Sequence, residues 1–322
     1  MKPFSIGLRG CTAILLAPLF ALLAGGLFVP QAATAETAPP AGNMTEKMNA
    51  YVGCINRLSA RSYESRKRYF SWAAASGPTG RERIIYGTYT IYNTSDCSKA
   101  VAAANAMEPH DATLEAAATA YVAAVSALEP LLKEADAYYS REDYKDDGMA
   151  KGKALHPRLV AAWDAFAGAD QKLRDAVEAI SDKRALEKLA AIEQSEGRKA
   201  RYYVEALMIQ AKRVVRAGDT GKPDLQAITQ AVSAYEDAVR GADATAGAGD
   251  GPKIGSLFMN DANAYLVTAK QLMRRIRDHV PYSSGDEMMI NAGSGWMVEG
   301  SPARLVRDYN ELIDAYNRGP RI

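Results

Sequence analysis

From Met44 to Tyr316 apolar residues return at every third or fourth position, a spacing that places them on one face of an α-helix and on no single face of a strand. Met44, Met48, Tyr51, Ile55 and Leu58 form the first such stripe. Leu114, Tyr121, Val125, Leu128, Leu132 and Tyr139 form the second, with Pro130 predicting a kink near 127–129. A third runs through Leu155, Leu159, Trp163, Phe166, Leu173 and Ile180. The fourth takes Leu186, Leu189, Ala200, Val204, Leu207 and Val214, with Ser181 or Asp182 as its expected cap and Gly218 as its end. Two further stripes follow at 225–239 and 258–276, and Ser301-Pro302 announces a last helix with a capping residue before proline at its first position. The expected fold is all-α: an elongated antiparallel bundle with coiled-coil-like long helices. It is expected as a single domain over 44–322, with a candidate sub-boundary at 218–223 and breaks at 76–80, 241–252 and 280–300.

Residues 84–92, IIYGTYTIY, resist this pattern. Their β-branched and aromatic content favours a strand, but no second strand is evident to pair with them, and a lone strand leaves its backbone groups unsatisfied. The expectation for them is therefore helix.

The first 35 residues read as an export signal. Lys2 and Arg9 precede an apolar run from Cys11 to Val29, and Ala33-Thr34-Ala35 places small residues where a signal peptidase inspects them. Cleavage after Ala35 would deliver a periplasmic or secreted chain beginning at Glu36, with 36–43 as a flexible lead-in. The rival reading is a retained membrane anchor, since the run approaches the roughly 20 apolar residues that span a bilayer. Cys11 stands at the start of the run and not just after it, so it is not placed for lipidation.

The chain carries 39 basic and 38 acidic side chains, and a balance this even gives no long-range pull toward nucleic acid. Basic clusters at 66–68 and 274–277 read as solvated helix faces. A membrane is a partner only if the signal is retained. Beyond the signal the cysteines are Cys54 and Cys97, an even pair that suggests a disulfide in an oxidising compartment, with two buried thiols as the alternative.

One stretch, AYYSREDYKDDGMAKGKALH at 137–156, gathers acids, a glycine and a histidine. Started at Asp143, a calcium loop would need an acidic ligand at Lys145 and a bidentate glutamate at Ala154, so the match fails. Asp143, Asp146, Asp147 and His156 remain as candidate ligands for a transition metal. The competing reading is a helix-to-helix connection: Tyr138 and Tyr139 finish one helix, Gly148 reverses the chain, and Asp146 or Asp147 sits at the next N-terminus. No GxSxG nucleophile setting is present, and Gly293-Ser294-Gly295 lacks the lysine of a phosphate loop. No catalytic residue and no cofactor is expected. Seventeen tyrosines against six phenylalanines suggest rings at the edges of helix faces, where a tyrosine-lined cleft could hold a glycan or peptide.

YVGCINRL at 51–58, SGPTG at 76–80, SDC at 95–97 and EPLLKEADAYYSREDYKDDGMAKGKALH at 129–156 resemble the YiiG-like family of exported bacterial proteins, the domain of unknown function 3829. The resemblance implies an exported, mostly helical protein and brings no activity with it. Two function classes stand: a non-catalytic envelope protein that binds a small ligand or a protein partner, and a metal-binding or metal-dependent hydrolytic protein using the acids of 143–156.

Overall fold

The computed structural model describes residues 41–220, 222–247 and 254–320. The signal segment, its cleavage point and residues 36–40 of the lead-in lie outside them. Among the described residues the chain is all-α, with nine α-helices and one isolated bridge between Ala74 and Gly77. No helix among them is long and apolar enough to cross a membrane.

Packing divides the chain into two compact units, one ending at Ile180 and the other beginning at Ser181. In the first, α1 (Ala41–Phe70), α2 (Thr94–Asn105), α3 (Ala112–Ser140) and the earlier part of α4 (Ala150–Glu196) surround one core. α1 begins at Ala41, inside the stretch expected as lead-in. The apolar stripes supply the core directly: Tyr51, Ile55 and Leu58 from α1, Val125, Leu128 and Leu132 from α3, and Leu159, Trp163 and Phe166 from α4 are all buried. Each such side chain contributes about 1.5–3 kcal/mol through removal from water. Asp111 caps α3, its side chain accepting the Leu114 N–H at 2.8 Å. Cys54 and Cys97 form a disulfide between α1 and α2, with Cα atoms 5.5 Å apart.

Several polar groups inside this core are matched, whereas the Tyr139 hydroxyl, the Trp163 indole N–H and the Thr88 hydroxyl are buried without a hydrogen-bond partner. Asp170, on α4, accepts from Ser59 at 2.6 Å and Tyr63 at 3.0 Å on α1, and from Arg174 at 2.8 Å. Lys47, fully enclosed, pairs with Glu115 and donates to the Pro109 carbonyl at 3.0 Å. The tyrosines are more deeply placed than their expected edge positions. Tyr51, Tyr69, Tyr121 and Tyr138 are buried, and each hydroxyl finds an internal partner, which lets the core hold phenols in place of phenylalanines.

The second unit holds the end of α4, then α5 (Ala200–Gly218), α6 (Leu225–Gly247), α7 (Ser256–Arg277), α8 (Ser284–Asn291) and α9 (Pro302–Asn317). α5 packs on α6, α6 on α7, and α9 on both α5 and α7. α9 starts as its sequence predicts, with Ser301 accepting the Arg304 N–H at 3.1 Å and proline at the first turn. α5 ends at Gly218, and the 218–223 stretch is its connection to α6, within this unit. α8 falls inside the expected break at 280–300, nucleated by a reciprocal cap between Ser283 and Asp286.

Two expectations are corrected. No helix starts at Ser181 or Asp182, because α4 runs through them to Glu196. The residues that follow, KRALEKLAA, are strong helix formers with no glycine or proline, and Asp182 instead binds Lys212 at 2.8 Å and Arg216 on α5. The break comes at Gly197, whose φ of +77° suits a residue without a side chain. Residues 84–92 are not helical either; they form neither helix nor strand, and Gly87 among them takes a φ of +66°.

Candidate ligand-binding face

The 84–92 segment is held by α1. Arg57, Arg61, Ser65 and Arg68 follow one another at steps of four, four and three, and Trp72 stands four residues further on, just past the helix end. That spacing places these side chains along one side of α1. The stripe supplies what a neighbouring strand would. Ser65 donates its hydroxyl to the Tyr89 carbonyl at 2.6 Å and accepts the Tyr89 N–H at 3.2 Å. Arg68 Nε donates to the Tyr86 carbonyl at 2.8 Å, and the Trp72 indole N–H to the Gly87 carbonyl at 2.9 Å. Side chains thus bond the Tyr86, Gly87 and Tyr89 backbone groups of the lone segment.

Cations and rings interleave along the same line. The Arg61 guanidinium lies 3.7 Å from the Tyr89 ring centre and that of Arg68 4.5 Å from it, with Arg68 also donating to the Tyr89 hydroxyl at 3.0 Å. The outer side of the segment is open: Ile84, Tyr86 and Tyr92 are 52%, 48% and 60% exposed. Between α1 and the end of the segment lies a cleft of about 250 Å³, lined by Arg57, Leu58, Arg61, Thr90, Ile91, Tyr92 and Asn93. Sequence reasoning missed this face. Its signal was the repeat of polar residues at helical spacing opposite a segment with strand composition.

The candidate metal residues are dispersed among separate tasks. Asp143 pairs with Arg141 at 2.9 Å, and Asp146 is exposed. Asp147 takes the N–H groups of Ala150 at 3.2 Å and Lys151 at 3.0 Å, and the Tyr138 hydroxyl at 2.8 Å, which fixes the start of α4. The Lys151 N–H leads in holding its carboxyl below the usual value. His156 stacks on Tyr69 and its Nδ1 shares a hydrogen bond with the Tyr69 hydroxyl at 2.9 Å. Burial pushes the Tyr69 phenol up to about 12. Among the described residues no three His, Cys, Asp or Glu side chains are grouped to hold a metal ion.

A second cleft, of about 160 Å³, lies at the end of α7 beside Arg274, Asp278 and Glu299. Its central cation, Arg275, is committed to the carbonyls of Pro281 at 2.9 Å and Glu299 at 3.0 Å.

Residues 42–318 match the family described as "Protein of unknown function (DUF3829)". The chain belongs to that family. This DUF3829 chain is also 40% identical over 277 residues to "Uncharacterized protein YiiG" of Escherichia coli (strain K12), a match covering 84% of this chain and 78% of that protein. No solved structure matches. The DUF3829 match takes in both packing units and the whole of the stripe and the 84–92 segment.

Proposed function

We propose that this DUF3829 protein is an exported, non-catalytic helical protein of the cell envelope that binds a small ligand or a protein segment on the face formed by α1 and residues 84–93. One observation carries the reading: Arg57 and Arg61 of α1 and the exposed Tyr92 line a cleft of about 250 Å³, beside a segment bonded to α1 on its inner side and open on its outer side. Clefts that combine apolar walls with a few convergent polar groups are the usual form of a ligand site. The non-catalytic part draws support from the use of the acids and histidine at 143–156, where Asp143, Asp147 and His156 each have a structural partner. The export part rests on the Lys2-to-Ala35 pattern.

The binding face is tested by amide NMR spectra of the purified protein titrated with neutral and charged sugars, amino acids and short peptides. At least one class should move signals clustered at 57–61 and 84–93. A panel whose shifts fall instead at 143–156 or 271–300 would refute the assignment. N-terminal sequencing of the protein recovered from the periplasm should read Glu36 first, and recovery with Met1 attached in the membrane fraction would refute export by cleavage.

A further inference from the structure

Resting on that reading, we infer that the cleft is an anion subsite, in which Arg57, Arg61 and the Thr90 hydroxyl take a phosphate or carboxylate group of the ligand. Arg57 and Arg61 stand one helical turn apart on α1, where two like charges repel unless something neutralises them. Arg57 has no carboxylate partner among the described residues. Arg61 reaches Glu64 only at 3.5 Å, with both ends about half exposed, a contact that water and salt readily replace. Stacking on Tyr89 fixes the Arg61 guanidinium by its face and leaves its N–H edge available, the arrangement suited to a planar or tetrahedral anion.

Thr90 adds a hydroxyl to the cleft wall: the residue lines the cleft at 8% exposure, where its oxygen is open to solvent or to a ligand. The neighbouring carboxylate, Glu129, is already engaged by Lys133 at 2.6 Å and by the Thr94 hydroxyl at the start of α2, so the free positive charge lies on the arginine side. Tyr92, with the Lys133 ammonium 5.8 Å from its ring centre, and Asn93 border the opening and offer a surface for the uncharged remainder of the ligand. A cleft of about 250 Å³ suits a headgroup of a few carbons better than a large molecule.

The test pairs sn-glycerol 3-phosphate with glycerol, and phosphatidylglycerol vesicles with phosphatidylcholine vesicles, on the purified protein. Glycerol 3-phosphate should shift the 57–61 and 90–93 amide signals while glycerol leaves them in place, and added salt should weaken the binding. Arg57→Ala and Arg61→Ala should each weaken it by about tenfold, and Thr90→Val by about threefold. Lys67→Ala, an exposed cation outside the cleft, should leave it unchanged, with circular dichroism and melting confirming that every variant folds. Binding to phosphatidylglycerol vesicles that glycerol 3-phosphate displaces would assign the anion to a lipid headgroup; binding of the soluble phosphate alone would assign it to a free metabolite. Equal binding of glycerol and glycerol 3-phosphate, unchanged affinity in both arginine variants, or occupation of the cleft by uncharged panel members alone would overturn the anion subsite while leaving the binding face standing. If nothing tried engages the face, both fall.

Discussion

Ser65→Ala isolates the device that holds the candidate face together. A single oxygen, the Ser65 hydroxyl, serves both the N–H and the carbonyl of Tyr89, at 3.2 and 2.6 Å, and Ser65 is fully buried. Alanine removes both bonds at once and returns nothing in their place. A neutral hydrogen bond contributes about 0.5–1.5 kcal/mol, so the two together are expected to cost about 1–3 kcal/mol. Tyr89 itself is half-buried, and water that reaches its backbone offsets part of this, favouring the lower half of the range. The loss is local, because Arg68 and Trp72 still hold Tyr86 and Gly87. Hydrogen exchange read residue by residue should therefore show the Tyr89 amide accelerating by about fivefold or more, with α3 amides unaffected. Ser71→Ala is the control: Ser71 bonds only the Arg68 carbonyl one turn back, and its loss should leave the segment untouched. If Ser65→Ala changes neither exchange at 84–92 nor overall stability, side chains are not what holds the segment.

Three further outcomes follow from the same structure. Thiol labelling of the denatured, non-reduced protein should find neither Cys54 nor Cys97 free, and reduction should cost about 4 kcal/mol, the chain-entropy value for a loop of this length; two labels per chain would exclude the bridge. Lys47, followed by His110, holds the Glu115 carboxyl down at about 2, against 4.5 for the free group. Because the folded value is the lower one, the stability this pair contributes is present above about pH 4.5 and is lost as pH falls toward 2, so acid unfolding should steepen in that window and Glu115→Gln should flatten it. An unchanged acid limb in Glu115→Gln would contradict the pairing. Asp147→Ala should lower the melting temperature through the lost first-turn bonds of α4 while Asp146→Ala does not, and calcium, zinc or iron should leave the wild-type melting temperature unchanged; a metal-induced rise abolished by Asp143→Ala or His156→Ala would restore the metal-binding alternative.

The helical stripes of α1, α3, α5, α7 and α9 were legible in the sequence because each buries one face, and burial of one face is what periodicity records. Ser301-Pro302 and the turn after Tyr139 were legible because capping and chain reversal are local chemistry. The continuity of α4 was not, since Ser181-Asp182 is a good cap in isolation and only the distant Lys212 and Arg216 give Asp182 another role. Residues 84–92 show the same limit more sharply. Their composition favoured a strand and the lack of a partner strand turned the expectation to helix, and the structure shows neither. Ser65, Arg68 and Trp72 supply partners to the segment's backbone, and nothing local to 84–92 carries this information. The candidate face went unread with it, because Ser65, Arg68 and Trp72 lie 24, 18 and 15 residues before the backbone groups they bond, and their meaning lies in the contact.

A crystal structure of the protein grown with sn-glycerol 3-phosphate tests the central claim most directly. The phosphate should lie in the cleft between α1 and residues 90–93, within hydrogen-bond reach of the Arg57 and Arg61 guanidinium groups and the Thr90 hydroxyl, with the segment still bonded to Ser65. A phosphate bound at the 143–156 connection or at the end of α7, with the cleft empty, would contradict that claim.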